Sequence, residues 1–228
     1  MVKGMQNTRI RENVRRIKSE LAQGNAFGER VLLIAATKTQ TAQAINAAIA
    51  AGVDAVAENK PQEFRDKNDF LAPCPRHFIG HLQTNKVKYL IGKVELIHSC
   101  DRDELAAEIA KQSLKKGVTT SVLLQINIGA ESTKGGYAFE TAQETFLRIS
   151  KIDGLCVKGF MAMLPDSDDE GLLRALARKM RGLFEWAKTQ SSEVEYLSMG
   201  MSGDYALCVS EGSNAVRLGS TIFGAREY

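Results

Sequence analysis

Short apolar runs alternate along the chain with segments whose apolar positions repeat at helical spacing. Ile10, Val14, Ile17 and Leu21 predict an opening amphipathic helix over residues 8–23, with Gly24 as its stop. The unbroken apolar run 31–36 predicts a buried strand, and the Ala-rich stretch 41–51, halted by Gly52, a helix. Residues 53–57 predict a second strand and 60–67 a short helix. A third strand is predicted at 77–80, followed by a helix around 84–91, and a fourth at 94–98. Asp101 and Glu104 stand at capping-box spacing before a helix ending near Gly117. Residues 121–128 read as the clearest strand, with 140–150 helical after it. The sixth strand is predicted at 155–163 and the longest helix at 168–189; strands at 195–199 and 214–218 bring the count to eight.

Eight strands, each followed by helical or turn material, is the count of a closed (β/α)8 barrel, although an open doubly wound sheet carries the same alternation with fewer strands. No Pro/Gly/Ser-rich linker and no repeat period divides the chain. The expectation is an α/β protein with a single TIM barrel domain over 1–228, residues 1–30 forming an N-terminal helical extension.

Composition narrows the class. With 228 residues, 44% hydrophobic and 25% charged, there is ample apolar material to offset chain entropy, which excludes disorder. Thirty basic against 27 acidic residues leave a charge of +3, scattered along the chain, so nucleic acid is not an expected partner. The richest apolar stretch, 44–57, is broken by Asn46, Gly52 and Asp54, and no run nears the ~18–20 residues of a membrane span. Arg9, Arg11, Glu12, Arg15 and Arg16 occupy the place of a signal peptide's apolar core, so a cytoplasmic address is expected. Cys74, Cys100, Cys156 and Cys208 lie far apart and read as reduced thiols, some of them buried. His77 and His81 have a spacing that chelates metals on a helix, but they fall on a predicted strand with no acidic or cysteine ligand beside them. They read as structural histidines, and no metal is expected.

In a barrel, chemistry belongs to the loops at the C-terminal strand ends. Lys38 follows the first strand, Asn59 the second and Gly80-His81 the third; residues 198–204 follow the seventh and 219–221 the eighth. Lys38 has two readings: a desolvated, nucleophilic amine suited to Schiff-base chemistry, or a surface lysine with a snorkelling stem. The small residues of 198–204 and of 217–221 let backbone N–H groups approach an anion, or are ordinary turn residues. Because the barrel closes its last strand onto its first, a ligand carrying both an aldehyde and a phosphate would satisfy the two features together.

The motifs around these positions resemble those of the pyridoxal phosphate homeostasis protein family, single-barrel relatives of the alanine racemase N-terminal domain. They are the segment from Ala35 to Thr39, Glu58-Asn59 with Gln62-Glu63, residues 77–86, residues 125–128 with Lys134 and Gly136, residues 197–202, residues 216–220, and residues 222–226. Ala57 and Lys60 depart from the family's usual Gly and Tyr. The resemblance implies that Lys38 carries pyridoxal 5'-phosphate (PLP) as an aldimine, that Ser202, Gly219 and Ser220 hold its phosphate, and that Asn59 lies beside it. Arg217 would face the pyridine nitrogen, and a guanidinium there cannot accept a proton, so carbanion chemistry is held back. Full alanine racemases bring a catalytic Tyr from a second domain, whereas this chain ends at Tyr228 straight after the barrel. The expectation is therefore a carrier or buffer in intracellular PLP homeostasis with little or no catalysis and no catalytic residue assigned. Expected partners are PLP, other B6 vitamers and PLP-dependent apo-enzymes, with no nucleic acid or membrane, in a monomer or weak dimer. The rivals are a PLP-dependent amino-acid racemase of low activity and a cofactor-free Schiff-base aldolase. Lys86 and Lys88 read as a solvated helix face rather than a collar around the phosphate entry, and Met161, Met163, Met199 and Met201 as packing.

Overall fold

Strands buried on both faces read as continuous apolar runs, and here those runs pair side by side in one direction. The computed structural model describes residues 2–131 and 133–224; Ala225, Arg226 and Tyr228, named above, lie outside the described residues. Its strands are β1 (Leu32–Ala36), β2 (Ala55–Glu58), β3 (Arg76–Phe78), β4 (Leu96–Cys100), β5 (Thr120–Asn127), β6 (Tyr137–Ala138), β7 (Leu155–Ala162), β8 (Tyr196–Ser198) and β9 (Ala215–Leu218). The order is β4-β3-β2-β1-β9-β8-β7-β5-β6, and a further β4–β5 pairing closes eight of them into a parallel barrel. The short β6 pairs with Ile126 and Asn127 of β5, beyond the point where β4 ends against Leu124.

Among the described residues eight α-helices accompany the strands: α1 (Val2–Leu21), α2 (Ala42–Ala50), α3 (Pro61–Lys67), α4 (Asp103–Lys115), α5 (Ala142–Ile149), α6 (Glu170–Gln190), α7 (Tyr205–Ser210) and α8 (Ser220–Phe223). The two-residue alternation of each strand sorts its side chains between two cores. Leu33, Ala35, Val56, Val216 and Leu218 pack outward against Ile10, Val14 and Ile17 of α1 and Ile45 of α2. Ile34, Ala55, Ala57 and Ala215 point inward, as do Leu96, Leu123 and Met161. Each fully buried Ile or Leu of the outer layer contributes roughly 1.5–3 kcal/mol. The apolar stripe predicted for the first helix is thus the face that α1 buries, and Asn13 Nδ2 donates to Ile222 O at 3.0 Å, tying α1 to α8.

One local expectation is refined and one is corrected. The segment predicted helical at 84–91 forms a 3-10 helix over Thr84–Tyr89, which suits the three-residue spacing of buried Val87 and Leu90. The capping box does not form: Arg102 takes the N-cap of α4 in extended backbone, while the Asp101 carboxylate accepts from Arg102 and His81. All four cysteines are free thiols, with Cys100 and Cys208 buried.

Candidate functional site at the mouth of the barrel

Parallel strands bring all their C-terminal ends to one mouth. β1 pairs Ala36 with Ala57 of β2, and on its other side Ala35 with Leu218 of β9. Lys38 therefore emerges between the strand end that carries Asn59 and the one that carries Gly219. Its side chain is exposed, and among the described residues Nζ has no hydrogen-bond or ion-pair partner.

The backbone on both sides of Lys38 is clamped. Thr37, before it, donates from Oγ1 to Glu58 Oε1 at 2.6 Å. Thr39, after it, has φ 65°, and its N–H donates to Glu63 Oε2 at 2.9 Å. Lys67 Nζ joins the two, donating to Glu58 Oε1 (3.0 Å), Glu63 Oε2 (2.7 Å) and Thr37 O (3.2 Å). Burial acts to raise the Glu63 pKa, but bonds from Lys67 and Thr39 outweigh it and hold the carboxyl below its ordinary value.

A cleft of about 290 Å³ opens beside Lys38, lined also by Ser202, Arg217, Gly219 and Ser220. Five of the six residues predicted for the site thus share one wall. Ser202 Oγ accepts from Thr221 N–H at 3.3 Å, which links the loop after β8 to the start of α8. Gly219 has φ −114°, a backbone any residue adopts, and an added Cβ would meet only Ala36 at ordinary contact distance. Its missing side chain keeps room in the cleft.

Arg217 is 5% exposed, and among the described residues the hydrogen bonds of its guanidinium go to uncharged oxygens of Ser198 and Ala162. No carboxylate among the described residues forms an ion pair with it, although an uncompensated buried charge costs several kcal/mol. Burial lowers the guanidinium, Cys208 and Asp204 offset part of that, and it comes to about 10, so it stays charged at neutral pH.

Asn59 stands apart from the lining. It lies at the next strand end with its Oδ1 buried and unpartnered. Gly80 packs so closely on it that an added Cβ would come within 2.0 Å of Asn59 O, which explains glycine at that position. His81 Nδ1 lies 3.1 Å from Asp101 Oδ2 at the mouth, while His77 turns to His98 in the core, so the two rings do not meet. Lys86 and Lys88 lie over the Tyr89 ring and do not line the cleft. Sequence reasoning assigned Met201 to packing, but it is 40% exposed and lines the cleft with Gln40 and Phe223. It also gave Lys67 no role; a lysine one helical turn after Glu63 was the available signal.

The family profile described as "Alanine racemase, N-terminal domain" matches residues 6–227. The pyridoxal phosphate homeostasis protein of Aquifex aeolicus is 40% identical over 199 residues, covering 86% of this chain and 87% of that one. A PLP-bound structure of PipY from Synechococcus elongatus superposes with a TM-score of 0.82 at 28% identity, covering 94% of this chain and all of that one. Alanine racemase of Corynebacterium glutamicum shares the fold, with a TM-score of 0.79 at 14% identity over 96% of this chain and 62% of its own. Barrel closure, the Lys38 wall and these similarities agree, and the chain belongs to the pyridoxal phosphate homeostasis protein family within the alanine racemase N-terminal-domain group.

Proposed function

We propose that the protein binds PLP in the Lys38 cleft, covalently through Lys38 Nζ, and acts as a cytoplasmic carrier or buffer of the cofactor with little or no catalysis. The observation that carries this reading is the juxtaposition in one cleft of an exposed amine, Lys38, and a buried guanidinium, Arg217, neither with an ion-pair partner among the described residues. A ligand that offers an aldehyde to the amine and a hydrogen-bond acceptor to the guanidinium satisfies both. The PLP-bound PipY structure and the names of the curated relatives support it.

The residues present fit the cofactor. Ser202, Gly219 and Ser220 would hold the phosphate, the space left by Gly219 giving it room, with Asn59 at the adjacent strand end. When bound, PLP supplies the aldehyde carbon for a Schiff-base bond and a ring that withdraws electrons strongly only when its nitrogen is protonated. Arg217, whose guanidinium can donate but not accept, would face that nitrogen and keep it unprotonated. Thr39 and the Glu58–Lys67–Glu63 cluster hold the Lys38 backbone in place while the amine is loaded or released. The whole chain, 1–228, serves as one barrel unit for this role.

The test is a visible spectrum of protein incubated with PLP, followed by borohydride reduction and peptide mass mapping. A yellow band that reduction fixes onto Lys38, and that Lys38→Ala abolishes, is the expected result. A colourless, unmodified protein, or a label on another lysine that survives Lys38→Ala, would overturn the proposal.

A further inference from the structure

Behind Arg217 the barrel interior carries polar side chains that the cleft does not reach. Arg217 Nη1 donates to Ser198 Oγ at 2.7 Å and to Ser198 O at 2.8 Å, and Nη2 donates to Ala162 O at 3.1 Å. Ser198 Oγ lies 3.0 Å from His98 Nδ1, and His98 Nε2 lies 3.0 Å from His77 Nδ1. Ser198 and His98 are fully buried and His77 is 4% exposed. One residue comes from each of β3, β4, β8 and β9, so only barrel closure assembles the chain.

Donor chemistry fixes its direction. Arginine has donors only, so Ser198 Oγ accepts from Arg217. The serine proton then goes to His98 Nδ1; the reverse arrangement would leave a buried hydroxyl proton without an acceptor. His98 accordingly carries its own proton on Nε2 and donates it to His77 Nδ1, which places the His77 proton on Nε2 as well. Burial keeps both rings neutral, pushing His77 down to about 4. Burial, reinforced by His77 and Arg217, holds His98 well below its ordinary range.

We infer that Ser198, His98 and His77 are positioning residues for Arg217, a one-directional relay of neutral groups that fixes the guanidinium in the cleft wall without compensating its charge. A carboxylate in the place of Ser198 or His98 would hold Arg217 equally well and cancel the positive charge that disfavours protonation of a ring nitrogen facing it. The relay is defined in the ligand-free protein, and its consequence for PLP rests on the reading of the cleft given above.

The experiment has two arms. In ligand-free wild-type protein labelled with 15N-histidine, nitrogen resonances at neutral pH are expected to show both rings protonated on Nε2 alone. A proton on Nδ1 of either ring, or a doubly protonated ring, overturns the relay. In the second arm, PLP is titrated into wild type, Ser198→Ala and Ser198→Thr. Ser198→Ala is expected to weaken binding about tenfold and to shift the visible band, and Ser198→Thr, which keeps the hydroxyl, to restore both. A Ser198→Ala protein with wild-type affinity and an unshifted band overturns the positioning role. Wild-type protein that takes up no PLP overturns the cofactor reading instead, while the nitrogen pattern still decides the relay.

Discussion

Thr39 follows Lys38 directly and holds φ 65°, a left-handed conformation that costs an L side chain roughly 1–2 kcal/mol. Strain of this kind persists only where surrounding bonds over-determine it, and here the Glu63 carboxylate does so by accepting the Thr39 N–H. Thr39→Gly removes the steric cost but loosens the unfolded chain, so urea unfolding of the ligand-free protein should show a net gain of about 0.5–1 kcal/mol. The same variant should release PLP faster, because the Lys38 backbone is no longer confined. A loss of about 0.5–1 kcal/mol, the unfolded-chain effect alone, would mean that Thr39 stores no strain. Gly219 tests the opposite side of the cleft. Gly219→Ala fits its backbone without strain and meets no close neighbour, so stability should move by less than about 0.5 kcal/mol. The added methyl occupies cleft space, and a PLP titration should show binding about tenfold weaker.

At the scale of elements, α3 reaches the site through two residues, Glu63, which accepts the Thr39 N–H, and Lys67. Lys67 in its last turn bonds Glu58 at the end of β2 and Glu63 in its own first turn, and so couples both neighbours of Lys38 to the helix. Lys67→Met leaves the Glu58 carboxylate buried without its cation and should cost about 2–3 kcal/mol in urea unfolding, with most of that cost returned by adding Glu58→Gln. Independent, additive losses would show that the cluster does not act as a unit. The same elements explain what the sequence disclosed. Residues 32–36 and 120–127 announce themselves because a strand covered on both faces needs apolar residues throughout. Lys38 stood out because it breaks such a run at its end, and the loops after β8 and β9 because small residues cluster there. The sequence predicts a helix around 84–91 but not its 3-10 type, because two buried residues three apart suit either period. The relay from Arg217 to His77 left no trace, since residues 77, 98, 198 and 217 have no common spacing and meet only when the barrel closes.

For the whole molecule, the seam between β1 and β9 is where the barrel's two termini must be held together, and its two ends do this differently. The C-terminal end of the seam is left open as the cleft. The other end is stapled by Glu29, just ahead of β1, and Arg181 of α6. Arg181 Nη1 donates to Glu29 Oε2 at 2.6 Å and to Gly212 O, just ahead of β9, at 2.8 Å. Asn25 Nδ2 adds a bond to Gly212 O at 3.1 Å. Burial would raise the Glu29 pKa, but Arg181, Asn25 and Lys188 outweigh it and hold the carboxyl at about 2, against an ordinary 4.5. A carboxyl whose folded pKa lies below its unfolded value binds fewer protons when folded, so its stabilisation is complete above pH 4.5 and is lost as the pH falls toward 2. Because Glu29 keeps a quarter of its side-chain surface in solvent, its contribution is on the order of 1 kcal/mol. Glu29→Gln should therefore lose about that much stability at neutral pH and show a shallower decline through the acid window, with PLP binding at neutral pH unchanged because the cleft lies at the opposite end of the seam. Urea midpoints measured across that window for both proteins decide it. Parallel acid slopes would mean that the staple carries no charge-dependent stability and that acid opens the barrel elsewhere.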